Sequence, residues 1–151
     1  MSDVTFTHTG RPVTERDLGK IESELGFSFP ANVRGFYTQT NGGRPKPHLF
    51  PKNGEFYAVH KFLSVLFPNP RLTVESTYRD LTTDPATSRF PSYLVPIAID
   101  GGGDHYCFSI RQEDFGAIYC FSWEYYDDPH RSIVLLASDL DSFLDALVEE
   151  E

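Results

Sequence analysis

Three observations predict an α+β fold for this chain. Two amphipathic helical segments stand near its start, short aromatic and β-branched runs fill its second half, and another amphipathic helix closes it. The order helix, helix, strand, helix, several strands, helix calls for one domain over residues 1–151, with its core at about 14–148. The expected sheet is largely antiparallel and twisted, packed with the N-terminal helices and a C-terminal helix. With 151 residues, 40% hydrophobic and 15% aromatic, the chain can bury most of its apolar surface around one core.

The first helix is expected in VTERDLGKIESELGF, residues 13–27. Thr14 and Asp17 have the spacing of a capping box, Val13 and Leu18 that of a hydrophobic staple, and Gly26 suits a left-handed stop. Leu18, Ile21 and Leu25 form one stripe, so the helix lies on a core. A second helix is expected in residues 30–43, with Pro30 at its first position and Val33, Phe36 and Tyr37 on one face. Asn41, Gly42 and Gly43 can take the positive φ that ends it, while Gly35 weakens its middle.

RPKPHLFPKN, residues 44–53, reads as an irregular loop and is the only locally basic stretch. EFYAVHKFLSV, residues 55–65, reads as a strand that the prolines of FPNPR, residues 67–71, bring to an end. Leu72, Val74, Tyr78 and Leu81 have roughly helical spacing and predict a third helix, followed by a loop over 82–92.

SYLVPIAID, HYCFSI and AIYCFSW are three strand-like runs joined by short turns, which suits antiparallel pairing. Pairing Ile110 with Ala117 would set Cys107 opposite Cys120, Phe108 opposite Tyr119 and Tyr106 opposite Phe121. The two thiols are then neighbours, expected to be reduced and buried. Near the end, Ser138 and Asp141 form a capping-box pattern ahead of Leu140, Phe143, Leu144, Leu147 and Val148, which follow helical spacing closely.

Composition excludes several function classes. With 13 Lys and Arg against 22 Asp and Glu, the net charge is −9, so nucleic acid and anionic membranes would repel the chain and a basic partner complements it. Asp139, Asp141, Asp145, Glu149, Glu150 and Glu151 concentrate part of that charge near the C-terminus, where the simplest reading is a solvated helix face and tail. MSDVTFTHTG lacks the charged and apolar regions of an export signal, and no apolar run approaches the about 20 residues a spanning helix needs. A cytoplasmic, soluble protein is expected. Two cysteines are too few for a disulfide scaffold and lack metal or redox spacing, which fits a reducing compartment.

AIDGGGDHYCFSI, residues 98–110, invites comparison with a phosphate loop, yet its glycines lead into strand residues and stand between two aspartates. A hairpin turn or bulge is the better reading. Asp100, Asp104 and His105 are close enough for a metal site, but His8, His48, His60 and His130 are scattered and none completes it. His105 and Cys107 are the right types for a nucleophile pair, without a third group to orient them. WEYYDDPH, residues 123–130, differs in kind, because it sets Trp123, Tyr125 and Tyr126 among Glu124, Asp127 and Asp128. It reads either as a recognition surface or as core aromatics beside a solvated turn, and no periodicity decides between them.

The chain as a whole resembles the SUKH superfamily. The residues that carry the resemblance are IESELGFSFPANVRGFYTQTNGG with Glu22, Leu25, Gly26, Pro30 and the Asn41–Gly43 stop, then VPIAIDGGGDHYCFSI, then SDLDSFLDAL. Together they run in order across residues 14–147. Phe29 replaces the family's usual leucine before the proline, and Asp104 stands where an asparagine is frequent; both changes are chemically mild. The resemblance implies a binding protein with no catalytic residues, metal or cofactor. Bacterial members of the superfamily neutralise polymorphic toxin domains, often nucleases or deaminases, and fungal members are cell-wall assembly regulators. For this chain it implies a bacterial immunity protein whose partner is a cognate toxin domain, with no nucleic acid or membrane partner. Asp100, Asp104, Trp123, Glu124, Tyr125, Tyr126, Asp127 and Asp128 are the candidate partner-binding residues. A non-catalytic regulatory scaffold and a small hydrolase using His105, Cys107 or the acids are the alternatives.

Overall fold

A computed structural model describes residues 3–66 and 72–149. The proline-rich FPNPR stop expected at 67–71 and the acidic Glu150 and Glu151 lie outside the described residues. The architecture is a single α+β domain built on an antiparallel five-stranded sheet.

A short strand β1 (Thr5–Thr7) leads into helix α1 (Glu15–Leu25), which begins as the sequence predicts. The Asp17 N–H donates to Thr14 Oγ1 at 3.2 Å, the Thr14 N–H donates to Asp17 Oδ2 at 2.9 Å, and Gly26 ends the helix at φ 78°. Leu18 and Ile21 are buried and Val13 packs with them. Glu22 then fixes the following turn. Its carboxylate accepts the Phe29 N–H at 2.7 Å and the Arg34 guanidinium at 3.0 Å, tying both the turn and the next helix to α1.

Helix α2 (Ala31–Gln39) buries Val33, Phe36 and Tyr37, and Pro30 is its N-cap residue instead of its first helical one. The helix ends at Thr40, whose backbone is extended, and Asn41 does not take the positive φ expected of it but anchors the following turn through its side chain. Its amide donates to the Arg11 and Val65 carbonyls at 2.8 and 2.9 Å while its oxygen accepts the Val65 N–H at 2.7 Å. Gly42 and Gly43 supply the positive φ, at 73° and 114°. A Cβ on either would come within 2.7 Å of the Leu63 or Thr7 carbonyl oxygen, so these two positions need glycine.

The expected loop at 44–53 is instead two strands, β2 (Arg44–Lys46) paired with β1 and β3 (Leu49–Lys52) paired with β4 (Glu55–Ala58). Proline is compatible with short two-stranded ribbons, which leave one side of each strand free of ladder bonds. The single strand expected at 55–65 is divided between two sheets: β4 belongs to that ribbon, while β5 (Lys61–Phe62) joins the main sheet.

Helix α3 (Val74–Thr83) starts from a Thr73–Ser76 capping box. Strands β6 (Leu94–Ile99), β7 (His105–Ser109) and β8 (Ile118–Phe121) follow in antiparallel order as predicted. The β7–β8 register differs by one residue: Tyr106 faces Cys120 and Cys107 faces Tyr119. Gly116, at φ 90°, causes the shift. Gly116 donates to the Ser109 carbonyl while Ser109 donates to the Ala117 carbonyl, so two residues of one strand oppose one of the other. A one-residue slip exchanges faces. Cys120 packs with Tyr106 and Phe108 in the main core, whereas Cys107 packs with Phe90, Leu94 and Phe121 on the opposite side. The thiols expected to be neighbours are separated by the sheet, and both are free and buried.

A short helix α4 (Pro129–Ser132) and strand β9 (Ile133–Ala137) complete the sheet, in the order β5-β6-β7-β8-β9. Helix α5 (Leu140–Asp145) is capped by Asp139, which accepts the Ser142 N–H at 2.8 Å; the Ser138–Asp141 pairing is displaced by one residue. Leu140, Phe143, Leu144 and Leu147 are buried as expected, but the helix ends before Val148, whose backbone exchanges hydrogen bonds with Leu49. No helix among the described residues is long and apolar enough to cross a membrane.

Candidate partner-binding site

The β6–β7 turn answers the question posed by its three glycines. Asp100 Oδ1 accepts the N–H groups of Gly102 and Asp104, each at 2.8 Å, and Gly103 takes φ 99° to close the loop. Asp100 is therefore spent on shaping a hairpin. The turn carries a carboxylate inside its own hydrogen-bonding pattern, where a phosphate loop needs open N–H groups.

The segment after β8 reaches the same end of the sheet. Asp104 Oδ1 accepts the Trp123 backbone N–H at 3.0 Å, and the Trp123 indole donates to His105 Nδ1 at 2.9 Å. Two segments that are separate in the sequence thus become one surface. Asp104 is half-buried, and burial raises its carboxyl pKa above the ordinary value; the Trp123 N–H opposes that shift, and the nearby Asp100 and Glu124 add to it. Trp123 stacks on Phe90 at 6.0 Å and meets Phe121 edge-on at 4.7 Å, so its ring belongs to the smaller core cluster.

Beyond Trp123 the chain makes a 3₁₀ turn through Tyr125 and enters α4. Asp128 caps α4 by accepting the His130 N–H at 3.1 Å, and Arg131 lies over the Tyr125 ring at 3.7 Å. Glu124, Tyr126 and Asp127 are exposed, and their side chains make no hydrogen bond or ion pair among the described residues. The eight residues therefore divide by environment. Asp100, Asp104, Trp123, Tyr125 and Asp128 build the platform, and Glu124, Tyr126 and Asp127 stand free on it.

Nucleophilic chemistry finds little support in the same strand. Cys107 is fully buried, which raises its thiol pKa well above the ordinary value, so the nucleophilic thiolate is suppressed. Burial lowers the His105 pKa to about 4, against a weak opposing pull from Asp100, and its Nδ1 is occupied by the indole. No group of three or more His, Cys, Asp or Glu side chains among the described residues is arranged to hold a metal ion.

The sequence reading missed a groove elsewhere on the surface. A groove of about 780 Å³ lies between β1, α2 and α5, with Val4, Phe6, Phe36 and Leu144 as apolar lining and Asp141 and Asp145 as carboxylates. Its signal was hidden because the three-residue β1 is too short to show alternation. The two aspartates, read as part of a solvated helix face, are indeed exposed.

No curated protein matches the chain. The family model described as SMI1 / KNR4 family (SUKH-1) matches residues 12–146, from the residue before Val13 to the end of α5. That span takes in the Glu22 turn, the β6–β7 hairpin and the Trp123 platform, and the chain belongs to the SMI1 / KNR4 family (SUKH-1).

Proposed function

We propose that this protein is a bacterial immunity protein that binds and neutralises a cognate polymorphic toxin domain, a nuclease or a deaminase, through its acidic surface. The SUKH family is known for immunity proteins, and membership is the starting point of this reading. The observation that carries it furthest is the Asp104–Trp123 hydrogen bond. It draws Asp100, Asp104, Glu124, Asp127 and Asp128 to one end of the sheet, beside the exposed Tyr126.

A nuclease must present Lys and Arg to phosphates, so a carboxylate surface can occupy its active face and be drawn there quickly by charge. Tyr126 supplies an aromatic anchor of the kind that dominates binding energy at such surfaces. The protein acts in the cytoplasm by occupation, without catalysis and without a cofactor, and neither nucleic acid nor membrane is its partner.

The test is affinity capture with the tagged protein from lysate of its own host, repeated at rising salt. Retention of a toxin domain that weakens with salt supports the reading. Recovery of regulatory proteins alone, with toxin confirmed in the lysate, would replace it with the scaffold alternative.

A further inference from the structure

The two edges of the main sheet are treated differently. On the β5 side, Phe62 and Gly43 exchange N–H to carbonyl hydrogen bonds at 2.8 and 3.0 Å, and Ser64 forms a bridge with Thr73. That edge is closed. On the β9 side, the Ile133 N–H donates to the Pro129 carbonyl at the end of α4, and no described residue bonds the outward Ile133 carbonyl or the N–H and carbonyl of Leu135.

The register identifies which groups face outward. The Ser122 N–H donates to the Ser132 carbonyl at 2.8 Å, and the pairing continues through Phe121 with Ile133, Cys120 with Val134 and Tyr119 with Leu135. Antiparallel ladders alternate bonded and non-bonded pairs. Val134 therefore bonds to β8, and the N–H and carbonyl groups of Ile133 and Leu135 point away from it.

Natural sheets blunt such an edge with lysine, proline or an inward charge. A bulge at Leu136 and the α4 cap on Ile133 shorten this edge, but Ile-Val-Leu-Leu-Ala has no lysine, proline or inward charge, and Leu135 between them is 50% exposed. Carboxylates flank the strand at both ends, Glu124, Asp127 and Asp128 before it and Asp139 and Asp141 after it. The cation at the first end, Arg131, is held over the Tyr125 ring. A second copy of this chain would bring the same carboxylates and another net charge of −9 against these, which disfavours edge-to-edge self-pairing.

We infer that the outer edge of β9 is a strand-addition site for an extended segment of a basic protein, apolar where it crosses Leu135 and carrying Lys or Arg toward its ends. Main-chain bonds to the Ile133 carbonyl and to the N–H and carbonyl of Leu135 would supply affinity, and the flanking carboxylates would select the charge. The inference rests on the immunity reading only for the identity of that protein, a toxin domain.

The experiment follows backbone amide exchange by NMR in the full chain, with a capped heptapeptide of alternating lysine and valine as probe and its glutamate–valine counterpart as control. At saturating lysine–valine peptide, exchange at Leu135 should slow about tenfold, the equivalent of one net hydrogen bond, with Ile133 and Val134, already bonded to Pro129 and to β8, little changed. The glutamate–valine peptide should do nothing. Leu135→Pro removes an outward donor that the β8 ladder does not use, so the sheet should survive and the peptide-induced shifts of the neighbouring Val134 and Leu136 amides should vanish. Leu135→Lys leaves the backbone intact and should abolish the protection at position 135 by like-charge repulsion.

Unchanged exchange at Leu135 overturns the inference, as does equal protection by the two peptides. Protection that appears without peptide and grows with protein concentration would assign the edge to a second copy and overturn it as well. Toxin captured without protection of Leu135 would overturn the edge and leave the immunity reading standing. Edge protection by the lysine–valine peptide with no toxin captured would do the reverse.

Discussion

Asp104 and Trp123 are 19 residues apart and joined at 3.0 Å, carboxylate to backbone N–H, across the end of the β7–β8 pair. The bond has two consequences that pull against each other. It satisfies a backbone donor on a half-buried turn, and it holds a carboxylate where burial, Asp100 and Glu124 all disfavour its charge.

Substitution separates the two effects. Asp104→Ala leaves the Trp123 N–H without its acceptor and should cost about 1–2 kcal/mol in urea unfolding. Asp104→Asn keeps an acceptor oxygen and removes the charge, so its cost should stay below about 0.5 kcal/mol. Equal losses in the two variants would show that the bond contributes nothing to stability.

His105 should make stability depend on pH above the carboxylate range. Its folded pKa is lowered to about 4 by burial, whereas an unfolded histidine titrates near 6.5. Between those values the unfolded chain binds a proton that the folded chain refuses, so stability is fully present above about pH 6.5 and falls as pH drops. From pH 6.5 to 5 the loss should be about 2 kcal/mol. His105→Asn keeps an acceptor for the Trp123 indole and should flatten the slope; the same slope in both proteins would exclude His105 as its source.

The register of β7 and β8 predicts the state of the thiols. Cys107 and Cys120 pack on opposite faces of the sheet, in different clusters. Denatured, unreduced protein should therefore yield two thiols per chain, and the native protein should react slowly at both, because each is buried and has a raised pKa. A denatured sample with no free thiol would contradict the register.

Those two cysteines also mark where sequence reading stops. The α1 caps were legible because Thr14, Asp17 and Gly26 interact within a few residues. The β7–β8 register was not, because it depends on whether Gly116 inserts a bulge, and the hairpin pattern reads much the same with or without one. Strand β9 was missed because Ile-Val-Leu-Leu-Ala shows no alternation, and β2 and β3 were missed because their prolines resemble loop chemistry. The acids and aromatics of the candidate site were visible as residue types. Their union was not, since the Asp104–Trp123 bond forms only once β7 and β8 are neighbours.

Glu22 illustrates an acid whose role is structural. Glu22→Ala removes the acceptor of the Phe29 N–H and one partner of Arg34, and should cost about 2–3 kcal/mol, because both bonds are charge-assisted and partly buried. Glu15 also reaches Arg34 at 3.0 Å, but its side chain is 63% exposed. Glu15→Ala should therefore cost less than about 1 kcal/mol. Chemical denaturation of the two variants checks the ranking, and a Glu15 loss equal to that of Glu22 would overturn it.

Partner binding should separate the free acids of the platform from acids elsewhere. Glu124 and Asp127 are exposed at one end of the sheet, and Glu113 is exposed in the β7–β8 turn at the other. An exposed charge pair contributes about 0.2–1 kcal/mol, so Glu124→Gln with Asp127→Asn should slow association with a captured toxin domain about fivefold. The effect should fall on the association rate and shrink as salt rises, because Glu124 and Asp127 would act mainly by steering the approach. Glu113→Gln also reduces the net negative charge, by one unit, but leaves the platform intact and should change the rate little. Equal slowing per charge at both ends would assign the steering to net charge alone, and with it remove Glu124 and Asp127 from the binding surface.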